Sequence, residues 1–235
     1  MERGSKVLFQ RTLEHRLKLE SFAVVAPADV EKKEALLRQA EDSAFLTRIM
    51  CDLLVGAAFA TATGKRPQED ETFAKKRADL WRELMKKYAY DENVDSWRIA
   101  LEDMRPVARE LLDAGLPASS GARRPFHWPL EFPEVFLNRD GFDAIVGNPP
   151  FIGGLRITGA LGQKYRDYLV EYVANGQRGA ADYVAYFFLR AQGLLLNGGT
   201  AGLLATNTIS QGDTREVGLD QPRGQISGGR HQECA

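Results

Sequence analysis

The chain has 235 residues, 44% hydrophobic and 27% charged, with 31 Lys plus Arg against 32 Asp plus Glu and a formal net charge of -1. That composition fits a globular chain able to bury a core in one or two domains, and near-neutrality excludes a whole-molecule pull toward polyanions. The longest nearly uncharged apolar stretch, residues 53–63, is about half of the roughly 20 residues a bilayer needs, and MERGSKVLFQRTLEHR lacks a signal-peptide apolar region. The expectation is a cytoplasmic protein with no membrane contact.

Residues 1–27 read as a lead-in. From residue 28 to about 63 the pattern is helical, with Pro27 at the start and Phe45, Ile49, Leu53 and Ala57 on one stripe. Residues 72–90, with Phe73, Leu80, Leu84 and Tyr88, and 96–114, with Trp97, Leu101, Met104 and Leu111, predict further helices, the last kinked or split at Pro106. GLPASSGARRP, residues 115–125, is a breaker and the predicted internal boundary. The predicted organisation is therefore a helical region over 28–120 and a catalytic core over 121–217, with an aberrant or disordered tail over 218–235.

After the breaker, FHWPLEFPEVF is aromatic and proline-rich, with a weak strand predicted over 130–136; His127 and Trp128 read as a packing plug rather than as catalytic groups. A turn at Asn138-Arg139-Asp140-Gly141 leads into FDAIVG, a short β-branched run predicted as a strand buried on both faces of a parallel sheet. Helices are predicted over 161–175 and 182–196, the second stopped by Asn197-Gly198-Gly199, and TAGLLAT, 200–206, reads as another buried strand. Strand, helix and strand make an α/β crossover unit, with two or three strands where an open sheet usually has five or more. Phe187 and Phe188 read as core, because their helix is apolar on most sides. Cys51 and Cys234 lie far apart, outside any metal-ligand spacing, so no metal is expected.

The cluster that points to chemistry is Asn148-Pro149-Pro150-Phe151, directly after the predicted strand. Ligand sites of open α/β sheets form beyond the carboxyl ends of strands. Two prolines stiffen the loop and leave its carbonyls as acceptors, Asn148 adds a carboxamide oxygen, and Phe151 adds an aromatic face. Together they suit a flat ring bearing an exocyclic amine.

NPPF after a strand resembles the catalytic (D/N/S)PP(Y/F/W) motif of S-adenosylmethionine-dependent amino-methyltransferases, best represented by N6-adenine DNA methyltransferases. Over about residues 30–218, including CDLLVGAAFA, FDAIVGNPPFIGG and ADYVAYFFLRAQGLLLNGGTAGLLATN, the chain is similar to large bacterial restriction-modification and phage-defence adenine methylases, type IIG-like enzymes among them. The resemblance implies a partial Rossmann-like methyltransferase sheet with a large helical insertion. It implies S-adenosylmethionine as cofactor, touched by Asn148, and DNA as partner. Asn148 and the Pro149 carbonyl would be the catalytic acceptors for the amine of a flipped adenine; Pro150 and stacking Phe151, with Asp182 and Tyr183, would bind the base. Phe187, Phe188, Asn207 and Gln211 match the same neighbourhood, and Arg156, Lys164, Arg166 and Arg178 are candidate phosphate contacts.

The family's glycine-rich cofactor loop, of the form DPACGSG, has no counterpart before Gly141, and the chain ends in LDQPRGQISGGRHQECA. The expectation is an internal fragment with weak cofactor binding alone, or a subunit completed by another chain carrying the cofactor loop or a recognition domain. Alternatives are methylation of another amino group (protein glutamine, ribosomal RNA guanine, cytosine N4) or a non-catalytic remnant; the long helical region argues against the compact protein- and RNA-modifying enzymes.

Overall fold

The computed structural model describes residues 2–65, 94–118 and 120–220. The helix predicted over 72–90 and residues 221–235 lie outside the described residues. The lead-in is itself helical: α1 runs Glu2–Ser21 and folds back on α2, Pro27–Thr61, where the Thr12 and Thr47 hydroxyls meet at 3.4 Å in the interior. Pro27 opens α2, and the Asp29 carboxylate accepts from Ala26 N at 3.0 Å and Val25 N at 3.3 Å, satisfying donors that a helix start leaves unpaired.

The predicted stripe of α2 packs against α3, Val94–Leu112: Ile49, Met50 and Leu53 meet Met104 and Ala108 in one core. At Gly56 the two helices come so close that a Cβ would lie 2.7 Å from that of Leu111. α3 runs through Pro106 as one helix, so the split, one of the two predicted effects, is corrected. Pro106 is on the exposed face, and the burial of Met104 and Ala108 outweighs the one backbone donor that proline lacks. Isolated charges hide the length of the apolar part of α2, which is long and apolar enough to cross a membrane; 59% of that window is buried inside the protein.

The aromatic segment forms two short helices, α4 (Trp128–Glu131) and α5 (Pro133–Asn138), in place of the weak strand predicted over 130–136. Pro129 and Pro133 each sit in a first turn, where a missing N–H costs nothing. Trp128, Phe132 and Phe136 pack around Phe142 with ring centroids 5.4–5.5 Å from it. Arg16 on α1 and Arg48 on α2 both reach Glu131, at 2.5 Å to its carbonyl and 2.6 Å to Oε1, and buried His127 lies 2.7 Å from Asp52, so α4 is fastened to the helical pair.

Then comes β1, Phe142–Gly147, paired in parallel with β2, Leu195–Leu203. Between them lie α6 (Gly154–Leu161), α7 (Gln163–Tyr168), a π turn (Leu169–Val173) and α8 (Tyr183–Leu194). This is the α/β crossover the sequence predicts, with α6 added ahead of the helix predicted over 161–175. β2 begins five residues earlier than predicted, because Leu195 pairs with Phe142 before the chain kinks at Asn197-Gly198 and resumes at Thr200 opposite Ala144. The prediction of a strand buried on both faces is corrected: Ala144 is exposed and Val146 is 85% exposed, since only two strands pair among the described residues and helices leave that face open. The second core, Ile157, Leu169, Ala185, Tyr186, Leu189 and Val217, joins α6, the π turn, α8 and α9 (Gly212–Gly218). Gly218, at the start of the predicted tail, is a buried end of α9.

The predicted boundary at 115–125 is a packed junction. Arg123 donates to Leu112 O (2.6 Å), Ala114 O (3.1 Å) and Leu161 O (2.5 Å), and its guanidinium lies 5.4 Å from the Phe59 ring centre and 5.6 Å from that of Tyr165. Burial lowers its pKa, partly offset by Asp113 and Tyr165. Nearby, buried Glu171 accepts from Thr63 N (2.7 Å) and Oγ1 (2.9 Å), and Phe59 meets Tyr165 and Tyr168 edge-on.

Candidate active site

β1 ends at Gly147, whose carbonyl accepts from Leu204 N at 3.0 Å, and the next four residues leave the sheet as Asn148-Pro149-Pro150-Phe151. Pro149 is buried and anchors the loop, while Asn148 and Pro150 are exposed and Phe151 is 56% exposed. Among the described residues, neither the Asn148 carboxamide nor the Pro149 carbonyl has a hydrogen-bond partner. Two acceptors and an open aromatic face therefore stand together at the carboxyl end of a parallel strand.

The chain after this loop is sewn to α8. Tyr183 N donates to Ile152 O at 2.8 Å, and Gly154 N donates to Asp182 Oδ1 at 2.9 Å. The other carboxylate oxygen of Asp182 accepts from Thr208 Oγ1 at 2.8 Å, Thr206 and Thr208 hydroxyls lie 2.6 Å apart, and Asp182 N donates to Thr214 Oγ1 at 3.1 Å. Gly154 is obligatory here, since a Cβ would sit 2.0 Å from Ala180 O.

These links frame a cleft of about 290 Å³, lined by Phe151, Ile152 and Gly153 on one side, Asp182 and Val184 below, and Thr206, Asn207 and Thr208 on the other. That is at the lower end of the ~300–1,000 Å³ typical of small-molecule sites. A wider and more open groove of about 540 Å³ lies between α1 and α2, bordered by Lys18, Phe22 and Lys32, and no residue that follows a strand lines it.

The structure brings Phe151, Asp182 and Asn207 to this cleft, with Asn148, Pro149 and Pro150 leading into it. Tyr183 holds the loop by its backbone and turns its hydroxyl to that of Tyr165, 2.7 Å away. Burial, with Tyr165 next to it, pushes the Tyr183 phenol well up, so it stays neutral. Phe187, expected in the core, is 36% exposed and packs edge-on to Tyr183 at 5.0 Å; Phe188 is half-buried. Gln211 is exposed and caps the start of α9.

The four basic candidates separate. Lys164 donates to Ala60 O (3.1 Å) and Ala62 O (3.4 Å), Arg178 to Gly64 O (3.0 Å), and Arg166 to Tyr186 Oη and Gly179 O. Arg156 on α6 and Arg178 are both exposed, and of the four Arg156 alone has its guanidinium uncommitted among the described residues. Sequence reasoning passed over Thr206, Thr208 and Gly154. The Thr-Asn-Thr run just after β2 was the available signal, since hydroxyls beyond a strand end face the same opening as the loop. No group of His, Cys, Asp and Glu among the described residues could hold a metal.

Residues 49–223, most of the chain, match the family model described as Eco57I restriction-modification methylase. No curated protein and no solved structure matches the chain.

Proposed function

The chain belongs to the Eco57I restriction-modification methylase family, and on that premise we propose that its Asn148–Phe151 loop is the amine-holding side of a DNA adenine-N6 methyltransferase. The observation that carries this reading is the pair of unpartnered acceptors, Asn148 and the Pro149 carbonyl, beside a cleft sized for one base. β1 and β2 would belong to a Rossmann-like methyltransferase sheet, with residues 28–120 as its helical insertion and 121–217 as its catalytic part.

An exocyclic amine conjugated to a purine is a weak nucleophile, because its lone pair is drawn into the ring. Two acceptors on its hydrogens favour the pyramidal nitrogen and take up positive charge as it develops there. Asn148 Oδ1 and Pro149 O supply them, held by prolines that cannot relax. Phe151 offers its exposed face to a base turned out of the duplex, and Ile152 and Val184 give the base an apolar floor. Arg156 is the side chain left to meet a phosphate. Acting on DNA, the protein would work in the cytoplasm.

S-adenosylmethionine is the methyl donor this reading implies, and the described residues do not fit it. The cleft takes one ring system, its only lining carboxylate, Asp182, is committed to Gly154 and Thr208, and no glycine-rich turn faces it from a strand end. The residues in hand account for the amine side of the reaction alone.

The test is transfer of labelled methyl from S-adenosylmethionine to unmethylated DNA, with the chain alone and with a polypeptide carrying a DPACGSG-type loop. Label on adenine N6 that falls about 10²–10³-fold in Asn148→Ala supports the reading. Label on cytosine N4, RNA or protein, or adenine label indifferent to Asn148, overturns it.

A further inference from the structure

Asp182 lines the cleft, yet both its carboxylate oxygens already have partners inside the protein, one on each wall: Gly154 N–H beyond the Asn148–Phe151 loop and Thr208 Oγ1 in the turn after β2. We propose that Thr208 and Asp182 form a strap that sets how far the Asn148–Phe151 loop stands from the turn after β2. Both are positioning residues rather than groups that touch the base, and the proposal rests on the amine-holding reading above.

Three features carry it. Thr208 cannot donate to Asp182 unless the 3₁₀ turn Asn207–Ser210 holds it there, and that turn is fixed by Ile209 N donating to Thr206 O (3.1 Å) and by the Thr206 hydroxyl at 2.6 Å. The backbone of Asp182 is held by its own N–H, which donates to Thr214 Oγ1, a buried residue of α9, so both carboxylate bonds start from a fixed point. Gly154 cannot retreat, because its Cα is pressed against the Ala180 carbonyl. A carboxylate fixed at its backbone and bridging an N–H and an O–H makes charge-assisted bonds, about twice as strong as neutral ones. It therefore transmits the position of one wall to the other. Thr208, to which the amine-holding reading gives no role, is the removable end of the strap.

The experiment compares the full chain with Thr208→Val, which keeps the shape and removes the hydroxyl, Thr208→Ser, which restores it, and Asn148→Ala. Two properties are read: amide hydrogen exchange of the segment containing Gly154, and affinity for a single-stranded oligonucleotide carrying one adenine against the same oligonucleotide with purine there, which lacks the amine. Thr208→Val should speed exchange at Gly154 by about tenfold and reduce the adenine-over-purine preference to near unity, with Thr208→Ser wild-type in both. Unchanged exchange in Thr208→Val overturns the strap. Faster exchange with the adenine preference intact overturns its positioning role. A wild-type chain without adenine preference, whose Gly154 exchange still responds to Thr208, refutes the amine-holding reading and leaves the strap standing. Thr208→Ala, which keeps the turn but not the bulk, serves if the valine variant fails to fold.

Discussion

Replacing Arg123 by Ala should destabilise the protein by about 3 kcal/mol. The side chain gives charged donors to three carbonyls from two places in the fold, Leu112 and Ala114 at the end of α3 and Leu161 at the end of α6. Hydrogen bonds to a charged group contribute roughly 1.5–3 kcal/mol each when buried. Arg123 is only partly buried, so water replaces some of what is lost, and the sum falls to about half or less, near 3 kcal/mol, with the stacking on Phe59 and Tyr165 included. For a chain of this size that corresponds to about 6–12 °C in melting temperature. Urea unfolding should show a lower midpoint with an unchanged slope, because native and unfolded surfaces stay the same. Arg123→Lys, with a single point of donation and no planar fork, should recover less than half. An unfolding free energy for Arg123→Ala within about 1 kcal/mol of wild type, on the order of the loss of one exposed bond, would refute the view that this residue ties the helical region to the crossover unit.

Gly154→Ala should cost about 1–3 kcal/mol and break the bond to Asp182, since the added methyl meets Ala180 O at 2.0 Å; an unperturbed melting curve with wild-type adenine preference would contradict this. Stability should be level from neutral pH to about pH 10 and decline above it. Burial pushes the Tyr172 phenol from 10.0 up to about 12, and Tyr165, Tyr183 and Tyr186 are raised too, so unfolded phenols lose their protons first and unfolding is favoured as pH rises between those values. Urea midpoints measured across that range, with Tyr172→Phe showing a shallower decline, check the sign; a rise above pH 10 would reverse the argument. Calorimetric titration of the chain with S-adenosylmethionine should give no micromolar 1:1 binding, and a clear isotherm would show that the described residues do cradle the cofactor.

How far the sequence reveals the fold depends on where the deciding interactions lie. The stripe Phe45, Ile49, Leu53 specifies α2 because the helix repeat is local, and the Asn-Pro-Pro-Phe loop is legible because prolines and a carboxamide after an apolar run have few uses. The α4 and α5 helices are not legible, because aromatic, proline-rich sequence suits a strand edge equally well; what decides is that Trp128, Phe132 and Phe136 close around Phe142, a contact made only once β1 is in place. Pro106 suggests a kink or split because its missing donor is local, whereas the burial of Met104 and Ala108 that keeps α3 one helix is not. The open face of β1 escapes notice for a related reason: a run such as Ala-Ile-Val records that a strand suits burial, not whether anything covers it.

The same distinction explains the basic residues. Lys164, Arg166 and Arg178 are near the loop in sequence, and a positive charge near a loop expected to act on DNA invites a phosphate. A guanidinium or ammonium in a half-buried junction also satisfies carbonyls that strands and helix ends leave unpaired, and those carbonyls, Ala60, Ala62, Gly64 and Gly179, come from segments no spacing rule connects. The result couples the helical region to the site. Tyr183 holds Ile152 by its N–H and Tyr165 by its hydroxyl, and Tyr165 lies under Arg123 and against Phe59 of α2. A chain of neutral phenols and one guanidinium thus runs from Phe59 of the helical pair to Ile152, the residue after the Asn148–Phe151 loop. The helical region is in this sense part of the loop's foundation rather than a spacer between domains, and the bonds of Asp182 complete that foundation from the opposite wall.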